Sequence, residues 1–132
     1  VLSRGLLSGR WSKERAARDF RGILPRFQGD NLARNLGLVE ALRAFAQGRS
    51  ATVAQVAIAW VLSRGDDIVP LIGARRREQL AEALAAKDHF LTAAELADIE
   101  RVIPLDAVAG DRYHAHGMAG LDSERGSKRA GG

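Results

Sequence analysis

The run Ile68-Val69-Pro70-Leu71-Ile72 constrains this chain more than any other stretch. A short, continuous apolar run reads as a strand buried on both faces, as in a parallel α/β sheet. It stops at Gly73, passes through Arg75, Arg76 and Arg77, and enters helix-forming residues with Leu80 and Leu84 one turn apart. Strand, glycine turn, basic residues and helix start together present backbone N–H groups and positive charge to a phosphate. A solvated basic loop joining two elements is the alternative, since a lone glycine with nearby arginines is a weak motif.

A buried parallel strand needs neighbours, and the chain offers few. Val1-Leu2 reads as the end of an interrupted strand, and Pro70 lacks the backbone donor that a mid-sheet position uses. The remaining segments read as helices. An incomplete α/β unit is therefore expected, with one complete strand, a strand stub and a helical majority. The chain does not open with methionine, which fits a piece of something larger.

Ser12 to Gly29 is charged and irregular, with Arg18, Arg21 and Arg26 interleaved with Phe20 and Phe27. It reads as a surface excursion pinned by its two aromatics, and long loops of this kind often carry function. Asp30 is suited to cap the next helix, whose stripe is Leu32, Leu36, Val39, Leu42 and Ala46, with Gly48 at its end. Thr52 and Gln55 form a capping box opening a helix over residues 53–64. Apolar residues cover much of its circumference, so it calls for burial on several sides. Thr92 and Glu95 form a second capping box before Leu96, Ile99 and Ile103, and Pro104 stops that helix. Residues 110–132 are rich in Gly, Ser, Arg and His and are expected as a mobile tail beyond a domain of residues 1–109.

Composition narrows the function classes. The 132 residues suffice for one domain, and 46% hydrophobic with 27% charged residues is ordinary for a globular protein. The sequence pI of ≈ 10.3 reflects arginine-dominated base, while the net charge is only +4. Arginine is scattered and aromatics are 5%, which speaks against a nucleic-acid partner. The absence of cysteine excludes disulfides and thiolate metal sites and is compatible with a cytoplasmic location. No apolar block approaches the ~20 residues of a membrane span, and no charged-then-apolar leader opens the sequence, so neither a membrane nor a secretory signal is expected. His114 and His116 lack an evident third ligand, so no metal site is assigned.

Several motifs in order resemble one family. Val1 to Arg10, Val-Leu-Ser-Arg-Gly-Leu-Leu-Ser-Gly-Arg, is similar to the Ser-Pro-Leu-x-x-Gly-x-Leu-Thr/Ser-Gly-Lys/Arg loop of the aldo-keto reductases. Pro25-Arg26-Phe27-Gln28, Asn31-Leu32-Ala33-Arg34-Asn35 and Ala54-Gln55-Val56-Ala57-Ile58-Ala59-Trp60-Val61-Leu62 resemble that family's later helices. Ile68-Val69-Pro70-Leu71-Ile72-Gly73-Ala74-Arg75 and Glu78-Gln79-Leu80-x-Glu82 resemble its last barrel strand and cofactor loop. Asp111-Arg112-Tyr113 and Met118 through Glu124 resemble the tail of a bacterial-type subgroup.

The resemblance implies the C-terminal portion of a (β/α)8 TIM barrel that reduces aldehydes and ketones with NADPH, without a Rossmann fold or a metal. Ligand chemistry in such barrels sits at the C-terminal ends of strands, where both glycine-arginine loops leave. It implies that Leu2, Ser3, Arg4 and Arg10 line the cofactor's pyrophosphate. Gly73, Arg75 and Gln79 would lie at the adenosine 2′-phosphate, and Glu82 near the adenine amino group. A guanidinium suits phosphate because its fork donates two hydrogen bonds at once. Arg75 stands where the family often has Ser or Thr, and Ala83 replaces the usual Asn. The family's catalytic Asp, Tyr, Lys and His lie earlier in the barrel than this chain, and its single tyrosine, Tyr113, falls in the tail. The expectation is a nicotinamide-binding part that is inactive alone, with a carbonyl substrate only in the full-length protein and self-association through unpaired barrel faces. The rival is a non-enzymatic helical interaction module.

Overall fold

A computed structural model describes residues 2–16, 18–104 and 106–121, whose regular elements are helices. A kinked 3₁₀ segment at Ser3–Ser8, interrupted by non-helical Arg4 and Gly5, leads into the short α1 (Lys13–Ala16) and two further 3₁₀ turns, Phe20–Ile23 and Pro25–Phe27. The longer helices follow: α2 (Gly29–Gln47), α3 (Val53–Leu62), α4 (Arg77–Leu84) and α5 (Ala93–Val102), then the short α6 (Ala115–Ala119).

α3 is the central element. Its Thr52–Gln55 capping box is present in both directions, Thr52 N–H to Gln55 Oε1 at 2.9 Å and Gln55 N–H to Thr52 Oγ1 at 3.2 Å. Val53, Val56 and Ala57 join the main core with Leu32, Val39, Leu42 and Ala46 of α2 and Ile99 of α5. Ile58, one residue on, forms a second cluster with Ala83 and Ala86, against which Leu2 and Ile72 pack. The multi-sided burial expected of this helix is what the structure shows. The Thr92–Glu95 box likewise opens α5, which buries Ile99.

Three local expectations are corrected. First, α2 begins at Gly29, with φ +45°, and its N-cap Gln28 makes no side-chain cap bond, so Asp30 falls inside the first turn. Second, Gly48 at the C-terminus is right-handed. The left-handed residue is Ser50, φ 53°, where Ser50 N–H bonds Gln47 O and Ala51 N–H bonds Ala46 O in a Schellman closure. Because an L-residue is strained there, Ser50→Gly is expected to raise stability by about 1 kcal/mol. A melting temperature unchanged or lowered by that substitution would contradict this account. Third, of the two aromatics expected to pin the basic excursion, only Phe27 is buried, 4.7 Å from the Trp11 ring, while Phe20 is exposed. Leu80 and Leu84 of α4 are both exposed, and the buried residues here are Ala83 and, just past the helix, Ala86.

The largest correction concerns strands. Among the described residues there is none, neither the complete strand at residues 68–72 nor the stub at the start, of which Val1 lies outside the described residues. A strand exists through the ladder it makes with a partner, and none of the described residues supplies one. Burial on both faces is also absent: Pro70 and Ile72 are half-buried, whereas Val69 and Leu71 are 81% and 82% exposed. Of this run, Ile72 packs against Ile58 of α3 and Ala83 of α4.

The stretch expected as a mobile tail is attached along its first part. Buried Asn35 donates from Nδ2 to the carbonyls of Arg26 (3.0 Å) and Ala109 (2.9 Å) and accepts from Ala109 N–H at 2.9 Å. Arg26 Nε donates to Gly110 O at 3.1 Å. Gly110 has φ +79°, and a Cβ there would come within 2.9 Å of the Pro25 backbone. Residues 122–132, including the end of the Met118–Glu124 motif, lie outside the described residues.

Candidate functional site

The two loops singled out by sequence meet across one open cleft of ≈ 1080 Å³. The first loop is bent by three successive left-handed residues, Ser3 (φ 46°), Arg4 (φ 57°) and Gly5 (φ 91°). Two of these are not glycine, so the surrounding structure must impose the bend. Arg21 does so in part: its Nη1 donates to the Arg4 carbonyl at 2.7 Å. The Arg21 guanidinium in turn grips Asp19 through Nε (2.7 Å) and Nη2 (2.5 Å) and lies 4.7 Å from the Trp11 ring centroid. At the far end of the loop Ser8 Oγ donates to Gly5 O at 2.5 Å, and Arg43 Nη2 donates to Gly9 O at 2.7 Å.

The second loop leads into α4. Gln79 Oε1 accepts from the N–H groups of Arg75 (2.9 Å) and Arg76 (3.2 Å), so its amide caps the helix start. Only its Nε2 donors could then serve an anion. Arg10 Nη2 pairs with Glu82 Oε2 at 3.1 Å, joining the loops across 72 residues, and the Glu82 carbonyl accepts from Gln55 Nε2 at 3.2 Å. The ion pair is part-exposed and worth at most about 1 kcal/mol, so it aligns the loops more than it stabilises them.

Of the residues assigned by sequence, Leu2, Arg4, Arg10, Gly73, Arg75, Gln79 and Glu82 line this cleft; Ser3 shapes the bend and does not. Gly73 sits in open space, where a Cβ would meet nothing within 4 Å. The sequence reading missed Arg15, Arg21 and Tyr113 as lining residues. Arg21 carried a partial signal, in the basic stretch between aromatics. Tyr113 carried a signal only as part of the Asp111-Arg112-Tyr113 motif, which did not point to the cleft; residues 109–110 are what bring it there. The His114–His116 pair stays without a metal assignment, as no cluster of three potential ligands occurs among the described residues.

Six arginines and a single carboxylate line the cleft, so its field favours an anion, and guanidinium forks suit phosphate oxygens. Glu82 keeps Oε1 outside its ion pair with Arg10, an acceptor suited to an amino group. This donor and acceptor set fits a phosphate-rich nucleotide.

The hydrogen bonds from the Arg21 side chain, then that from its backbone, hold the Asp19 carboxyl well below the usual carboxylate range, and the Arg21 guanidinium is pushed up in return. A depressed folded-state pKa stabilises the fold above the unfolded value of about 3.9. That contribution is lost as pH falls through the folded value. Asp19→Asn is therefore expected to flatten the acid side of the stability profile. An NMR titration of the Asp19 carboxyl with its midpoint near 4 would contradict it.

Comparison with known proteins decides the family. The model of the Aldo/keto reductase family matches residues 1–104. The chain belongs to this family. Over 90 residues it is 38% identical to "Probable aldo-keto reductase 1" of Glycine max, an alignment covering 68% of this chain and 26% of that protein. Over 124 residues it is 31% identical to "Aldo-keto reductase str7" of Strobilurus tenacellus, covering 92% of this chain and 37% of that protein. This aldo/keto reductase chain thus spans about a quarter to just over a third of the length of these relatives. The helical fold accords with part of such an enzyme, and no described helix is long and apolar enough to cross a membrane.

Proposed function

We propose that this chain is the C-terminal part of a cytoplasmic (β/α)8-barrel reductase of aldehydes and ketones and carries part of its NADPH site. Residues 1–109 form the partial domain and residues 110–132 the tail. The observation that carries the reading is the convergence of Arg4, Arg10, Gly73, Arg75, Gln79 and Glu82 on one cationic cleft, from loops more than sixty residues apart in sequence. Arg4 and Arg10, with Leu2 and Ser3 shaping the loop, serve the pyrophosphate. Arg75 and the Gln79 amide, beside Gly73, serve the adenosine 2′-phosphate, which favours NADPH over NADH. Glu82 Oε1 accepts from adenine. The cofactor, when bound, supplies hydride to a carbonyl carbon, and this chain's residues hold and orient it.

No residue here takes the family's catalytic Asp, Tyr, Lys or His role, so the chain alone is expected to bind NADPH more weakly than micromolar and to reduce no aldehyde. Calorimetric titration at low and high salt tests the binding, which must weaken as ionic strength screens the arginines. Reduction of an aromatic aldehyde by the purified chain above the buffer rate would defeat the inactive-part reading. Absence of any nucleotide binding would defeat the cofactor reading.

The exposure of Val69 and Leu71 favours a second reading, a helical module that associates with another chain or with itself. Sedimentation decides it: a monodisperse monomer that melts cooperatively excludes that reading.

A further inference from the structure

The Arg4 guanidinium does not hang free at the mouth of the cleft. It lies 4.1 Å from the centroid of the Tyr113 ring, and its Nη1 donates to the Arg112 carbonyl at 3.1 Å. Tyr113 lines the same cleft and lies beyond residues 1–104, the part matched by the family model. Its approach is fixed from below. Asn35 holds Ala109 by two hydrogen bonds, Arg26 holds the Gly110 carbonyl, and left-handed Gly110 permits close contact with Pro25. Three residues later the ring meets Arg4, 109 residues away along the chain.

We propose that Tyr113 is a positioning residue of the ligand cleft, holding Arg4 in place for an anionic ligand. The inference rests on the reading that Arg4 serves the pyrophosphate of the nucleotide. An exposed arginine loses rotamer freedom when it binds a ligand, and one already held by a ring face and a carbonyl loses less. Stacking uses the flat face of the guanidinium and the Arg112 carbonyl takes one N–H, so in-plane donors remain for an oxyanion. The backbone of Arg4 is held separately, by Arg21, so the two halves of the residue are fixed by different parts of the chain.

The test uses the 132-residue chain, two probes and a double-mutant cycle read by calorimetry. NADPH carries the pyrophosphate; adenosine 2′-monophosphate lacks it and engages only the Arg75 side. Tyr113→Ala is expected to weaken NADPH binding about two- to fivefold, the range of an exposed cation–π contact, and to leave the monophosphate unaffected. Tyr113→Phe retains wild-type affinity, since the ring and not the hydroxyl faces Arg4. In an Arg4→Ala background, Tyr113→Ala has no further effect. Unchanged NADPH affinity in Tyr113→Ala overturns the proposal, as does an equal loss for both probes or an undiminished loss in the Arg4→Ala background. Should Arg4→Ala weaken NADPH while Tyr113→Ala does not, only the role of Tyr113 falls. Should the wild-type chain bind neither probe, the nucleotide reading falls and this inference falls with it.

Discussion

Replacing Asn35 with alanine is expected to destabilise the chain by about 3 kcal/mol. Asn35 is 1% exposed, and its amide satisfies the Arg26 carbonyl and both backbone groups of Ala109. Truncation leaves three backbone groups without these partners at a buried position, each costing about 1–3 kcal/mol, reduced where water can enter. Asn35→Asp tests the same point with near-constant volume. It keeps the acceptor for Ala109 N–H but loses both donors and adds a charge where burial disfavours one. Urea unfolding checks the expectation: the midpoint should fall with little change in slope. A loss below about 1 kcal/mol would mean that the seam between residues 26 and 109 contributes little. Because residues 109–110 also set where Tyr113 begins, the variant should lose nucleotide affinity along with stability.

Ile58→Ala is expected to cost a similar amount, about 3 kcal/mol, with Ile58→Val costing about 1 kcal/mol. Ile58 is 2% exposed and is the side chain on which Leu2, Ile72 and Ala83 converge. Leu2 precedes the strained Ser3–Gly5 bend and Ile72 precedes Gly73, so one methyl-rich side chain of α3 supports both walls of the cleft. Its truncation removes the shared packing surface and leaves a void beside an open cleft. The expected signature is a lowered unfolding midpoint together with weakened NADPH binding in samples that remain folded. Retained stability in Ile58→Ala would show that the two walls are carried independently.

Readability from sequence followed the locality of the interaction. The Thr52–Gln55 and Thr92–Glu95 boxes are closed between residues three apart, so spacing alone revealed them. The stripe Leu32, Val39, Leu42 and Ala46 was legible for the same reason, and Asn35 lay on it at helical spacing, a polar residue on a buried face. Its partner is 74 residues distant, so nothing local said what satisfies it. Ser50 escaped notice because glycine at position 48 looked sufficient, whereas the left-handed turn closes two residues later. The apolar run at residues 68–72 was read as a buried, paired strand; no strand pairs with it among the described residues, and Val69 and Leu71 are exposed. Arg4, Arg10 and Arg75 stood out beside glycines and were assigned to a cofactor, with Glu82, through resemblance; the Arg10–Glu82 pairing is visible only in the coordinates.

The cleft walls are joined by bonds between residues far apart in sequence, 72 apart for Arg10–Glu82 and 108 apart for Arg4–Arg112. Closing loops of such length carries an entropic penalty that short-range contacts avoid. An anion bridging both walls would offset part of that penalty and raise the chain's apparent stability.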